Sequence, residues 1–243
     1  NISLCAGNID TMEDFERLKE TGGYRFYEGK FYRVPITKGQ TDVAPLKGNY
    51  IDLLNIVNSP DFELTTAADI ISRDTALTID LLKMVQPLAV NSEITSIRHA
   101  AMLGQRELKK WINTAVANAL YADKPNEVTR LSLLRAKFAE NLAEAFGLKA
   151  QKDELFLMGL FSVLDVILEK PMAEALKVVH VAGEISNALI YRIGVLAPVY
   201  DFMLQYETAN WAEVSRLMLL KNIDMNTVYE AYTSALKWYR TVR

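Results

Sequence analysis

Histidine and cysteine are nearly missing from this 243-residue chain, which holds two of the first and one of the second. A lone Cys5 excludes an internal disulfide and a thiolate metal cluster, so it reads as a small buried side chain in a reducing, cytoplasmic setting. Two isolated imidazoles, His99 before Ala100 and His180 before Val181, exclude a His-Asp pair, His-x-x-x-His and His-Glu-x-x-His. Charge of one sign is missing too: 27 Lys and Arg against 30 Asp and Glu leave a net −3, which gives no electrostatic footprint for nucleic acid. The longest apolar stretches, 155–168 and 193–204, stop short of the ~20 residues that a bilayer crossing needs, so no membrane span is expected. Asn1 leads into an apolar run with no basic region before it, unlike a signal peptide, and the chain reads as continuing upstream of residue 1. The Gly-x-Ser-x-Gly elbow, the phosphate-binding Gly-x-x-x-x-Gly-Lys loop and Gly-x-Gly-x-x-Gly are all absent.

Half the residues are apolar, enough for a sizeable core. The first 36 residues differ from the rest. An apolar run at 2–6, a Met12/Phe15/Leu18 stripe, Gly22-Gly23 and an aromatic-rich run at 24–34 predict strand, helix, strand. A linker follows over 37–45, in a polar stretch with Gly39, Pro45 and Gly48. From residue 46 to 243 apolar residues recur three or four apart, which predicts roughly ten to twelve short helices and no sheet. Leu131, Leu134, Phe138, Leu142 and Phe146 form one such stripe, with Gly147 placed as a helix stop and Leu103-Gly104 repeating the signal. Pro171 suits a first helical turn, and Asn210 with Glu213 has capping-box spacing. Val228, Tyr232, Leu236 and Tyr239 share a face of the final helix.

A helical domain of this size raises the question of a metal-dependent phosphohydrolase, and histidine supply argues against one. Glu154, Asp165 and Glu169 lie on or near one helical stretch and read as solvated charges rather than an acid and base pair. Arg106, Lys109 and Lys110 beside Trp111, interrupted by Glu107, read as a solvated helix face. The methionines, Met84, Met102, Met158 and Met218 among them, fall at helical spacing and read as core filler.

The run Ile-Thr-Ser-Ile-Arg-His-Ala-Ala-Met-Leu-Gly at 94–104, preceded by Ser-Arg-Asp-Thr-Ala-Leu-Thr at 72–78, resembles the HDOD family, with Thr75 where that family has proline. Gly159 to Asp165 is similar to the segment that follows. The resemblance covers 46–243 and implies a mostly α, multi-helix HD-like bundle that has lost the metal ligands of its hydrolase relatives and serves bacterial signalling as an output module. Ala6 to Thr11 and Phe26 to Pro35 resemble the final strand, helix and strand of an EAL domain, the barrel that hydrolyses cyclic di-GMP. Gly7 then stands where that family has a functional glutamate, Glu28 where it has a functional glutamine, and Asp10 keeps an acid, which implies a degenerate site.

The expectation is a non-catalytic, cytoplasmic interaction module of a cyclic di-GMP-related regulator, with no cofactor, acting on protein partners, a homo-dimer among them. Its contact surface is expected to include Trp111, Tyr121, Trp211 and Tyr232, because large amphipathic rings dominate interface cores. The rival readings are a carboxylate-metal phosphohydrolase acting on nucleotides or cyclic di-GMP, and a non-hydrolytic cyclic di-GMP sensor.

Overall fold

The computed structural model describes residues 3–33, 45–63, 66–67, 71, 104–120, 126–179 and 181–241. Both histidines, Tyr121, Met84, Met102 and nearly all of the 72–78 and 94–104 motifs lie outside the described residues.

The chain opens with strand β1 (Cys5–Ile9), helix α1 (Met12–Thr21) and strand β2 (Phe26–Gly29), the two strands paired in parallel. Thr11 caps α1 by accepting a hydrogen bond from the Asp14 N–H at 3.1 Å, and Gly22 at φ 73° ends it. Asn8 at φ 59° coincides with the register irregularity between Ala6 and Ile9. Gly29 pairs with Ile9 so closely that a Cβ there would stand 1.9 Å from the Ile9 carbonyl oxygen, so only glycine fits. The second strand is shorter than its aromatic pattern suggests. Its continuation, Phe31–Arg33, turns into a 3₁₀ helix, and Phe31 stacks on Phe15 at 4.4 Å. Cys5 is exposed, a correction to its reading as a buried side chain: it sits at the open end of β1.

The rest of the described chain is helical: α2 (Pro45–Asn58), α3 (Gln105–Leu120), α4 (Asn126–Leu142), α5 (Lys152–Phe161), α6 (Leu164–Leu168), α7 (Met172–Val178), α8 (Gly183–Tyr191), α9 (Ala197–Glu207), α10 (Trp211–Lys221) and α11 (Met225–Thr241). Ten α-helices lie beyond the N-terminal unit among the described residues, at the lower bound of the ten to twelve expected there, and the only sheet among the described residues is β1 with β2. Pro45, expected in a linker, opens α2, where its missing N–H costs nothing. Pro171 stands one residue earlier than expected, as the N-cap of α7. Asn210 caps α10 as its spacing predicts, and Gly147 takes φ 73° after α4.

Helix α4 is the centre of the bundle, with α5 packed along it and α11 against another side. Phe138, at mid-length, is buried against Tyr206 and Tyr232, and burial of such a ring contributes about 2–3 kcal/mol. Two devices bring α4 and α5 close: Gly159 presents no side chain, and the buried Ser132 hydroxyl donates to the Leu160 carbonyl at 2.7 Å. Met158 and Met218 are buried as expected. Asn58 and Asn113 exchange amide hydrogen bonds at 2.8 and 3.2 Å, tying α2 to α3. No helix among the described residues is long and apolar enough to cross a membrane.

Candidate functional site

Charge enters this bundle at two places along α4, and both are ordered by neighbouring helices. Arg135 is 5% exposed. Its Nε and Nη2 donate to the two Glu207 oxygens at 2.7 Å each, and Nη1 donates to the Ser162 hydroxyl at 3.1 Å. Burial alone works against the charged guanidinium, yet the fork onto Glu207 outweighs it and holds Arg135 above its usual range.

One turn further on, Glu140 is 4% exposed and accepts from Lys110 of α3 and from Lys137 at 2.8 Å. Burial pushes its carboxyl up, but the two ammonium groups overcome that and hold it below the ordinary carboxylate range. The Lys110 ammonium also lies over the Phe156 ring at 4.8 Å, and Lys137 over Trp238 at 5.8 Å. This corrects the reading of Arg106, Lys109 and Lys110 as a solvated face. Arg106 alone is exposed, paired with Asp153 at 2.8 Å; Lys109 is half-buried over Phe62, and Lys110 is drawn inward by Glu140.

An aromatic seam leads outward from Phe138. Tyr232 and Tyr206 lie 5.2 Å apart, and Tyr206 meets Trp211 edge-on at 5.4 Å. The structure therefore brings together two of the expected interaction residues, Trp211 and Tyr232, through Tyr206, which the sequence reading did not single out. Trp211 is 54% exposed, whereas Tyr232 is half-buried. Trp111 belongs to α3 and is half-buried against the core, so it shares no ring contact with the seam among the described residues. The same two last helices expose Leu219, Leu220, Met225 and Tyr229.

Two clefts border α4. The larger, about 620 Å³, is polar and is lined by Glu140, Glu144, Lys152, Asp224 and Glu230, among others. The smaller, about 240 Å³, is walled by Tyr32, Phe138 and Tyr232, with Arg135 and Glu207 in it and Glu127 and Arg130 on α4. Glu154, Asp165 and Glu169, read as solvated charges, are instead half-buried, because their helices pack into the bundle. Glu154 lies in α5 with its Oε2 buried, Asp165 is in the first turn of α6, and Glu169 caps the C-terminus of α6 in the left-handed conformation. Among the described residues no three of His, Cys, Asp and Glu converge as a metal site would require. Burial raises the Asp165 carboxyl, with Arg135 working the other way. In the N-terminal unit the parallel register sets Gly7 beside Glu28, whose Oε2 stands 3.8 Å from where a Gly7 Cβ would be.

Over residues 43–186 the chain matches the HDOD domain. It is 28% identical over 242 residues to the cyclic di-GMP phosphodiesterase CdgJ of Vibrio cholerae, covering 98% of this chain and 56% of that protein. It is 27% identical over 245 residues to the uncharacterized protein YuxH of Bacillus subtilis, covering 96% of this chain and 59% of that one. The chain thus spans little more than half the length of these curated relatives. No solved structure matches it. A match over most of the helical bundle, on a fold built around the α4 and α5 pair, places this chain in the HDOD domain family.

Proposed function

We propose that this chain is the non-catalytic output module of a cytoplasmic, cyclic di-GMP-related regulator, and that it works by contacting other proteins. The observation that carries the reading is the aromatic seam from Phe138 through Tyr232 and Tyr206 to the half-exposed Trp211. Rigid rings set on packed helices present contact area at small entropic cost, and exposed Leu219 and Leu220 enlarge the apolar surface of α10. The histidine poverty of the sequence supports a scaffold that binds rather than hydrolyses. Residues 1–36 fit the closing portion of an EAL-like barrel. A parallel strand-helix-strand unit with two strands has open edges that a larger sheet would satisfy, and Glu28 beside Gly7 puts a carboxylate back on the same face from the neighbouring strand.

The test is affinity capture from bacterial lysate with the wild-type chain, Trp211→Ala and Leu220→Glu. Specific proteins retained by the wild type and lost from both variants are expected. Identical capture by all three contradicts the choice of surface. A second reading, hydrolysis of cyclic di-GMP or another nucleotide at a carboxylate-held metal, takes its support from the name of the relative CdgJ, of which this chain spans just over half.

A further inference from the structure

The smaller cleft beside α4 carries a chemistry that the interaction surface does not use. Its apolar walls are Tyr32 of the N-terminal unit, Leu131, Leu134 and Phe138 of α4, and Tyr232 of α11. Glu127 and Arg130, one helical turn apart, are the charged groups of its α4 edge that are not committed elsewhere. Among the described residues neither takes part in an ion pair or a side-chain hydrogen bond, whereas Arg135 and Glu207 are spent on one another and on Ser162. A volume of about 240 Å³ lies below the ~300–1,000 Å³ of drug-sized sites, so it admits one ring system and not a whole dinucleotide.

We infer that this cleft binds a guanine mononucleotide, the base between Tyr32 and Tyr232, its N1–H and N2–H₂ edge on Glu127 and its phosphate on Arg130. Each element of that ligand answers a group on the page. Aromatic walls favour a flat ring through stacking, as in proteins that hold single bases. A carboxylate only accepts hydrogen bonds, and of the common bases guanine offers it two adjacent donors. An unpaired guanidinium beside it matches a phosphate in a two-pronged, charge-assisted contact. The buried Arg135–Glu207 pair fixes α4 against α9, so the cleft is preformed rather than assembled on binding. Because Tyr32 comes from the N-terminal unit, an occupant would tie that unit to α4 and α11.

The cleft shares Phe138 and Tyr232 with the seam, but Glu127 and Arg130 lie outside it, so variants at these two positions test nucleotide binding apart from protein contact. Calorimetric titration of the 243-residue chain with 5′-GMP, 5′-AMP and guanosine tests it. The expected result is saturable GMP binding, at least fivefold tighter than AMP. Arg130→Ala should weaken GMP fivefold or more and leave guanosine unchanged, and Glu127→Gln should erase the preference over AMP. Both are exposed surface changes that leave the fold intact, as thermal melts of each variant would verify. Absence of saturable GMP binding at millimolar concentration overturns the assignment. So does binding that neither variant alters, or an aromatic dipeptide that binds where GMP does not.

Discussion

Gly159 of α5 lies directly against the backbone of Arg135 on α4: a Cβ at position 159 would come within 2.5 Å of the Arg135 carbonyl. The two helices touch backbone to backbone there, and the glycine of the 159–165 motif is explained by that approach rather than by a turn. Gly159→Ala is expected to cost at least about 2 kcal/mol, since the obstacle is main chain and cannot rotate away. Gly183→Ala, in the first turn of α8 with nothing within 4 Å, should cost nothing or stabilise by up to ~1 kcal/mol. Urea unfolding of the two variants checks the contrast, and equal effects would refute the close approach.

The Arg135–Glu207 pair should show the signature of buried charge. Glu207→Ala leaves a desolvated guanidinium behind and is expected to cost about 3 kcal/mol. Replacing both partners by apolar residues, Arg135→Met with Glu207→Leu, should cost less than either single change. A double variant weaker than both singles would show that the pair contributes net stability.

Stability should fall in acid because of Glu140. Its folded-state carboxyl is held below the ordinary value of 4.5, so its contribution is present above that value and is lost as pH falls through the lower, folded-state range. Glu140→Gln should cost about 2 kcal/mol at neutral pH and flatten the acid limb of the stability curve. Thermal melts between pH 3 and 7 measure both; an unchanged acid limb in the variant would remove Glu140 as its source.

Asp165 has the opposite sense. Burial raises its folded-state carboxyl above 3.8, so its charge opposes folding at every pH where it is ionised, and the opposition is relieved as pH falls through the raised value. Asp165→Asn keeps the shape and removes the charge, and it is expected to stabilise by on the order of 1 kcal/mol at neutral pH. Destabilisation instead would show that the first-turn position in α6, or the nearby Arg135, needs the carboxylate.

Much of the fold was legible because helices write themselves at a spacing of three to four. The α4 and α11 stripes, the Asn210 cap and the Gly147 stop all stand where the sequence puts them. What was not legible depends on partners far along the chain. Nothing near Lys110 announces that Glu140, thirty residues on, draws it inward, and nothing near Trp211 names Tyr206 as its link to Tyr232. Cys5 was misread because burial was inferred from an apolar run whose strand has an open edge. Pro45 was misread because composition cannot separate a linker from the first turn of a helix.

The proposed role requires that this chain binds and does not cleave. The most direct measurement is incubation of the purified chain with cyclic di-GMP and with Mg²⁺ or Mn²⁺, followed by chromatographic detection of pGpG and GMP. No product above the protein-free control is expected with either metal. Turnover that scales with protein concentration and stops when the metal is chelated would contradict it.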